Sequence, residues 1–112
     1  MRADTELGQA YSQLLQLARE LSAAGHHEAS YHSLMAALHC AEDGEDRARL
    51  SELVKLFRQQ GRLVDGVEPP HKLSTRSAHG TRSIFEMGAC MGEAVIKRLE
   101  NQRRMDELRS GA

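Results

Sequence analysis

GHHEASYHSLMAALHCAED, residues 25–43, decides the fold, because it reads either as a metal site or as one arm of a packed helical hairpin. It holds four of the chain's six histidines and one of its two cysteines. Tyr31, Leu34, Leu38 and Ala41 recur at steps of three and four residues, with Met35 and Ala37 widening the stripe. That spacing predicts an amphipathic helix over about residues 27–42. The metal reading fails on geometry. His32 and His39 are two turns apart, about 10.5 Å along a helix axis. Glu28 and His32 could converge, but a stable site needs three or four donors. The one Glu-x-x-His, Glu68 to His71, straddles two prolines, and there is no HExxH. No metal and no cofactor are expected, and the stretch is read as a hairpin arm.

Working outward, Gly25 stops a preceding helix over about residues 5–24, capped by Asp4 or Thr5 and striped by Leu7, Tyr11, Leu14, Ala18 and Leu21. Glu42-Asp43-Gly44 ends the second helix. A third is expected over about 45–60, burying Leu50, Leu53, Val54 and Phe57 before Gly61, with acidic residues favouring its positive end. Asp65-Gly66 and Glu68-Pro69-Pro70 cannot continue it, so residues 62–80 are read as a loop. A fourth helix, about 81–104, carries Ile84, Gly88, Met91, Val95 and Leu99. The fold class is all-α, one domain of 112 residues built as a four-helix antiparallel array, because short connections make neighbouring helices antiparallel.

Within the fourth helix, EMGACMGEA keeps Gly88 and Gly92, each costing about 1 kcal/mol relative to alanine. Their smallness must therefore gain something: a close approach of another helix inside the domain, a dimer seam, or a kink or ligand-facing groove. Charged neighbours Glu86, Glu93, Lys97 and Arg98 rule out the membrane version of this motif.

With 40% hydrophobic residues the chain can bury a core without disulfides. No apolar run approaches the length of a membrane span, and the first residues have no apolar segment of a secretory leader. A cytoplasmic location is expected, with Cys40 and Cys90 as reduced, buried thiols. Charge is unevenly distributed: residues 1–46 hold two bases and eight acids, residues 47–112 thirteen bases and eight acids. This asymmetry reads as two halves packed side by side, as a basic surface for an anionic partner, or as head-to-tail self-association.

No GxSxG, P-loop or GxGxxG is present, and the paired acids Glu42-Asp43 and Glu45-Asp46 lie at a helix junction, where capping and the helix dipole explain them. The chain is not expected to be an enzyme. One segment keeps an alternative function open. PPHKLSTRSAHGTRSIF, residues 69–85, carries Lys72, Arg76, His79 and Arg82 with no acid, just ahead of a helix start. Such groups suit phosphate or a nucleic-acid backbone. Against that, the chain as a whole is not basic and has only two Phe and two Tyr for stacking bases.

LARELSAAGHHEASYHSLMAALHCAED resembles a tetratricopeptide repeat, the 34-residue helix-turn-helix unit of interaction scaffolds. Leu17 and Leu21 take the large apolar places of its first helix, Ala18 the small one and Gly25 the turn. Ser30, Leu34 and the pair Ala37-Leu38 follow in the second helix. Leu14 stands where tryptophan is common, and Glu42 where a closing proline is usual. Leu17-x3-Leu21-x3-Gly25 recurs as Leu53-x3-Phe57-x3-Gly61, 36 residues on, giving a partial second copy over 45–63.

The resemblance implies a tetratricopeptide-like hairpin followed by two further helices, binding a protein or peptide on the exposed face of the first and third helices. Ser12, Leu15, Arg19 and Ser22 would contribute from the first, Lys55 and Arg58 from the third, with Leu15 as an exposed apolar anchor. The implied role is a small adaptor or regulatory protein, open to homodimerisation that covers its end faces.

Overall fold

The computed structural model describes residues 2–67, 71–75 and 83–111. Among these, four helices follow in order: α1 (Arg2–Ala23), α2 (His27–Asp43), α3 (Arg47–Asp65) and α4 (Ile84–Ser110). The all-α expectation holds, and no described residue lies in a strand.

Local chemistry sets most of the boundaries. Gly25 adopts φ +84°, a left-handed conformation that a side chain would strain, and so turns α1 into α2. Asp46 caps α3 by accepting a hydrogen bond from the Arg49 amide at 3.1 Å. Ser83 caps α4 in the same way, accepting from the Glu86 amide at 3.2 Å. The third helix does not stop at Gly61 as expected. It runs on to Asp65 and is closed by the Gly66 amide bonding back to Arg62 and Leu63. Val64, inside that extension, is fully buried and draws the last turn onto the core. α4 likewise passes the expected end at 104 and reaches Ser110.

Side-chain contacts give the helix directions. Ser33 Oγ donates to the Leu14 carbonyl at 2.6 Å. Ser30 Oγ bridges the Ala18 carbonyl, 2.8 Å away, and the Gln60 side-chain amide at 3.0 Å. Residue numbers rise on α2 as they fall on α1, so the two are antiparallel. On α3 and α4, Gly61 meets Phe85, Phe57 meets Gly88 and Val54 meets Gly92, which makes these antiparallel as well. The molecule is thus two helical hairpins, α1/α2 and α3/α4, joined where α2 lies against α3 and α4.

One core fills the join. Leu34, Leu38, Leu50, Leu53, Phe57, Val64 and Phe85 are its largest fully sequestered side chains apart from Ser30. Tyr31 lies edge-on to both Phe57 and Phe85, with ring centroids 6.2 and 5.7 Å away. These three rings tie α2 to both helices of the second hairpin.

The stripe on α1 differs from the expectation. Of the expected residues Tyr11 and Ala18 are buried and Leu7, Leu14 and Leu21 half-buried, but Leu15 is buried as well, and Leu17, a large apolar place in the repeat resemblance, is 45% exposed. α1 packs on α2 and also reaches α3, where the Tyr11 hydroxyl donates toward the Arg49 carbonyl and Glu52. A helix facing two neighbours buries a wider wedge than one stripe, and Leu15 falls inside it. On α4 the buried line is Phe85, Gly88, Ala89, Gly92 and Val95, while the expected core residue Met91 is 44% exposed. The glycines cause the shift, because they let α3 close on their side of the helix.

The 36-residue correspondence is not matched position by position. Leu53 and Phe57 are buried and Gly61 lies within α3, but Leu17 is exposed and Gly25 forms a turn.

Candidate partner-binding surface

The residues expected to face a partner differ in their exposure. Ser12, Arg19 and Lys55 are exposed and Ser22 is half-buried. Leu15 is no anchor: at 5% exposure it belongs to the core. Arg58 is occupied inside the molecule. Its guanidinium lies 3.0 Å from a Glu86 oxygen and 3.0 Å from a Glu93 oxygen, clamping α3 to α4. Those two carboxylates hold Arg58 above the ordinary arginine range.

Of the four anion-binding candidates, Arg76, His79 and Arg82 lie outside the described residues. Lys72 is placed, and its ammonium sits 3.2 Å from the Glu28 carboxylate at the start of α2. The segment around it is docked rather than a free linker. Ser74 is buried, Leu73 packs against the core, and Thr75 donates through both its amide and its hydroxyl to Asp65 at 2.7 and 2.8 Å.

The histidines scatter. His27 is buried with its ring edge-on to His71, centroids 5.2 Å apart, and its Nδ1 finds no hydrogen-bond partner among the described residues. Burial, reinforced by the neighbouring His71 and His26, lowers the His27 pKa from its ordinary value. His32 stacks edge-on against Tyr31, and His39 lies 3.7 Å from Glu42. Among the described residues, no group of three or more His, Cys, Asp and Glu side chains is placed to hold a metal ion. Cys40 and Cys90 are half-buried thiols, and burial raises the Cys40 pKa, keeping it protonated and a weak nucleophile.

A second polar cluster lies where α1 meets α3. Tyr11 sits under the Arg49 guanidinium, 5.0 Å from the ring centroid, beside a cleft of about 510 Å³ that Asp46 and Arg47 also line. Burial and the hydrogen bond to Glu52 hold the Tyr11 phenol well above its usual range. A phenol so held stays protonated, and the cluster braces the two hairpins.

The acidic and basic halves meet across the fold. Lys72 reaches Glu28 and Arg98 reaches Glu42 at 2.9 Å, so part of the charge asymmetry is satisfied internally.

What remains open is the outward side of α4. Met87, Met91, Met105 and Leu108 stand 44–72% exposed along it. The helix's last turns, residues 100–110, are exposed on all sides. Residue type alone did not flag this side, because Met91 reads equally well as core. The signal was the glycine pair, which turned the buried line away from the methionines. No helix among the described residues is long and apolar enough to cross a membrane. Compared with known protein families, curated proteins and solved structures, the chain finds no match, so its own geometry is what speaks to function.

Proposed function

We propose that the chain is a small, non-enzymatic, cytoplasmic protein-interaction module, an adaptor or regulatory protein. The observation that carries this reading is the row of large apolar side chains left exposed on α4 while the core closes around Phe57 and Phe85. A row of this kind on a helix is the ordinary mark of a surface that another protein covers. Two hairpins in succession also follow the order of stacked tetratricopeptide units, which supports the likeness seen in residues 11–43. Ser12 and Arg19 on α1 and Lys55 on α3, all exposed, remain candidates for a second contact with a partner. Phosphate or nucleic-acid binding has less support, since Lys72 is already engaged by Glu28.

Capture tests the reading. The tagged chain, incubated in lysate of its source cells and crosslinked, is expected to retain a defined protein that the Met91→Glu variant releases. A chain that retains nothing saturably, or whose Met91→Glu form retains the same protein equally well, contradicts it. Light scattering on the purified chain decides whether a second copy is itself the partner.

A further inference from the structure

The outward side of α4 has a charge pattern as distinctive as its apolar one. On a helical projection, Met87, Met91, Ala94, Arg98, Asn101, Met105 and Leu108 fall on one face at alternating steps of four and three residues. The line is about 31 Å long at the rise of an α-helix. Lys97, Arg104 and Arg109 border it, and all three are exposed.

The acids of α4 are elsewhere and engaged. Glu86, Glu93, Glu100 and Glu107 recur every seventh residue just behind the border that Lys97 and Arg104 form. Arg58 holds the first two, Arg47 the third at 3.5 Å and Arg103 the fourth at 3.2 Å. Asp106 accepts a hydrogen bond from Gln102 at 3.0 Å. Arg98 is the one cation of the face tied to a carboxylate, that of Glu42. The result is two apolar pairs, Met87/Met91 and Met105/Leu108, separated by Ala94, Arg98 and Asn101 and bordered by positive charge, with no carboxylate of α4 on the face itself.

We propose that this face of α4 is a docking surface for an acidic amphipathic helix of another protein; the proposal rests on the binding-module reading and names its partner class. Leucine-like residues of such a helix would lie along the methionines, whose flexible thioethers adapt to differing shapes. Its glutamates and aspartates would meet Lys97, Arg104 and Arg109. Asn101, polar within the seam and accepting a hydrogen bond from Arg104, would fix the register at which the two helices meet. A second copy of α4 is the poorer occupant: laid parallel or antiparallel, two such faces set cations opposite cations along their borders.

Two fluorescein-labelled synthetic helices test the proposal by anisotropy against the full chain. Both carry leucine at every third and fourth position; one has glutamate at the bordering positions and the other lysine. The glutamate helix is expected to bind with about micromolar affinity, at least about tenfold tighter than the lysine helix, and to weaken as salt rises. Met105→Glu combined with Leu108→Glu is expected to weaken it at least about tenfold. Residues 105 and 108 lie outside the core, so circular dichroism and melting temperature should be unchanged. Leu17→Glu, on α1, should leave the affinity as it was. Equal binding of both helices, binding of neither, or full affinity in the double variant overturns the proposal, as does a homodimer that the double variant dissociates. If the chain still captures a protein from lysate while the glutamate helix fails, the occupant is wrong and the module reading survives.

Discussion

Gly88 of α4 lies against the ring of Phe57 on α3 so closely that a methyl group added at position 88 would fall 2.5 Å from the ring's Cε1. The relation is reciprocal one turn away, where a methyl on Gly61 of α3 would meet Phe85 Cβ at 3.1 Å. Each helix thus supplies a glycine that receives the other's phenylalanine. Gly92 extends the approach, since a methyl there would reach Val54 Cγ2 at 2.9 Å.

Gly88→Ala is therefore expected to destabilise the fold by about 1–3 kcal/mol, although alanine favours an isolated helix by about 1 kcal/mol. Urea unfolding measures this. Phe57→Leu should recover part of the loss when combined with Gly88→Ala, and strictly additive effects would mean that ring and methyl do not meet. Gly92→Leu, which drives a larger group at Val54, is expected to lose more than Gly88→Ala.

Leu15 and Leu17 are two residues apart and should respond oppositely to charge. Leu15→Glu places a carboxylate in the core and is expected to cost more than about 3 kcal/mol, enough to unfold much of the population. Leu17→Glu should stay within about 0.5 kcal/mol of the parent. Thermal melts followed by circular dichroism compare them, and equal melting temperatures would contradict the buried wedge of α1.

Arg58 bridges two α4 carboxylates at the surface, so its contribution depends on ionic strength. Arg58→Gln is expected to lower the melting temperature in dilute buffer, with the difference from the parent shrinking as sodium chloride is added. A loss that salt does not change would point to packing of the side-chain stem rather than to charge.

His27 gives the fold a pH dependence of definite sign. Its folded pKa lies below the ordinary value of 6.5, because burial and the nearby His71 and His26 disfavour the cation. The unfolded chain thus binds a proton more readily than the folded one as pH drops below about 6.5. Stability is expected to fall from there down to the depressed folded pKa, and to be insensitive to this group above it. The melting temperature of the parent at pH 7.5 and pH 5.5 should differ more than that of His27→Asn. An identical difference would show that another group carries the effect.

The helical periodicity of the chain was legible residue by residue. Tyr31, Leu34, Leu38 and Ala41 placed α2 within a residue of its observed ends, and Gly25 placed the turn before it. The end of α3 was not legible. Gly61 looks like a terminator in isolation, and only the presence of Phe85 on a helix more than twenty residues later turns it into a packing position. Arg58, likewise, reads as a free surface cation until α4 brings Glu86 and Glu93 to it.

By itself the sequence determined that the chain forms amphipathic helices, roughly where they begin, and that Gly88 and Gly92 had to be answered by something close. Helix formation and turn chemistry depend on neighbours within about four residues, and that information is linear. Which side of each helix is covered depends on how many other helices it meets, and only the tertiary structure decided that: Leu15 went into the core, while the glycines drew α3 to one side of α4 and left the methionines on the other.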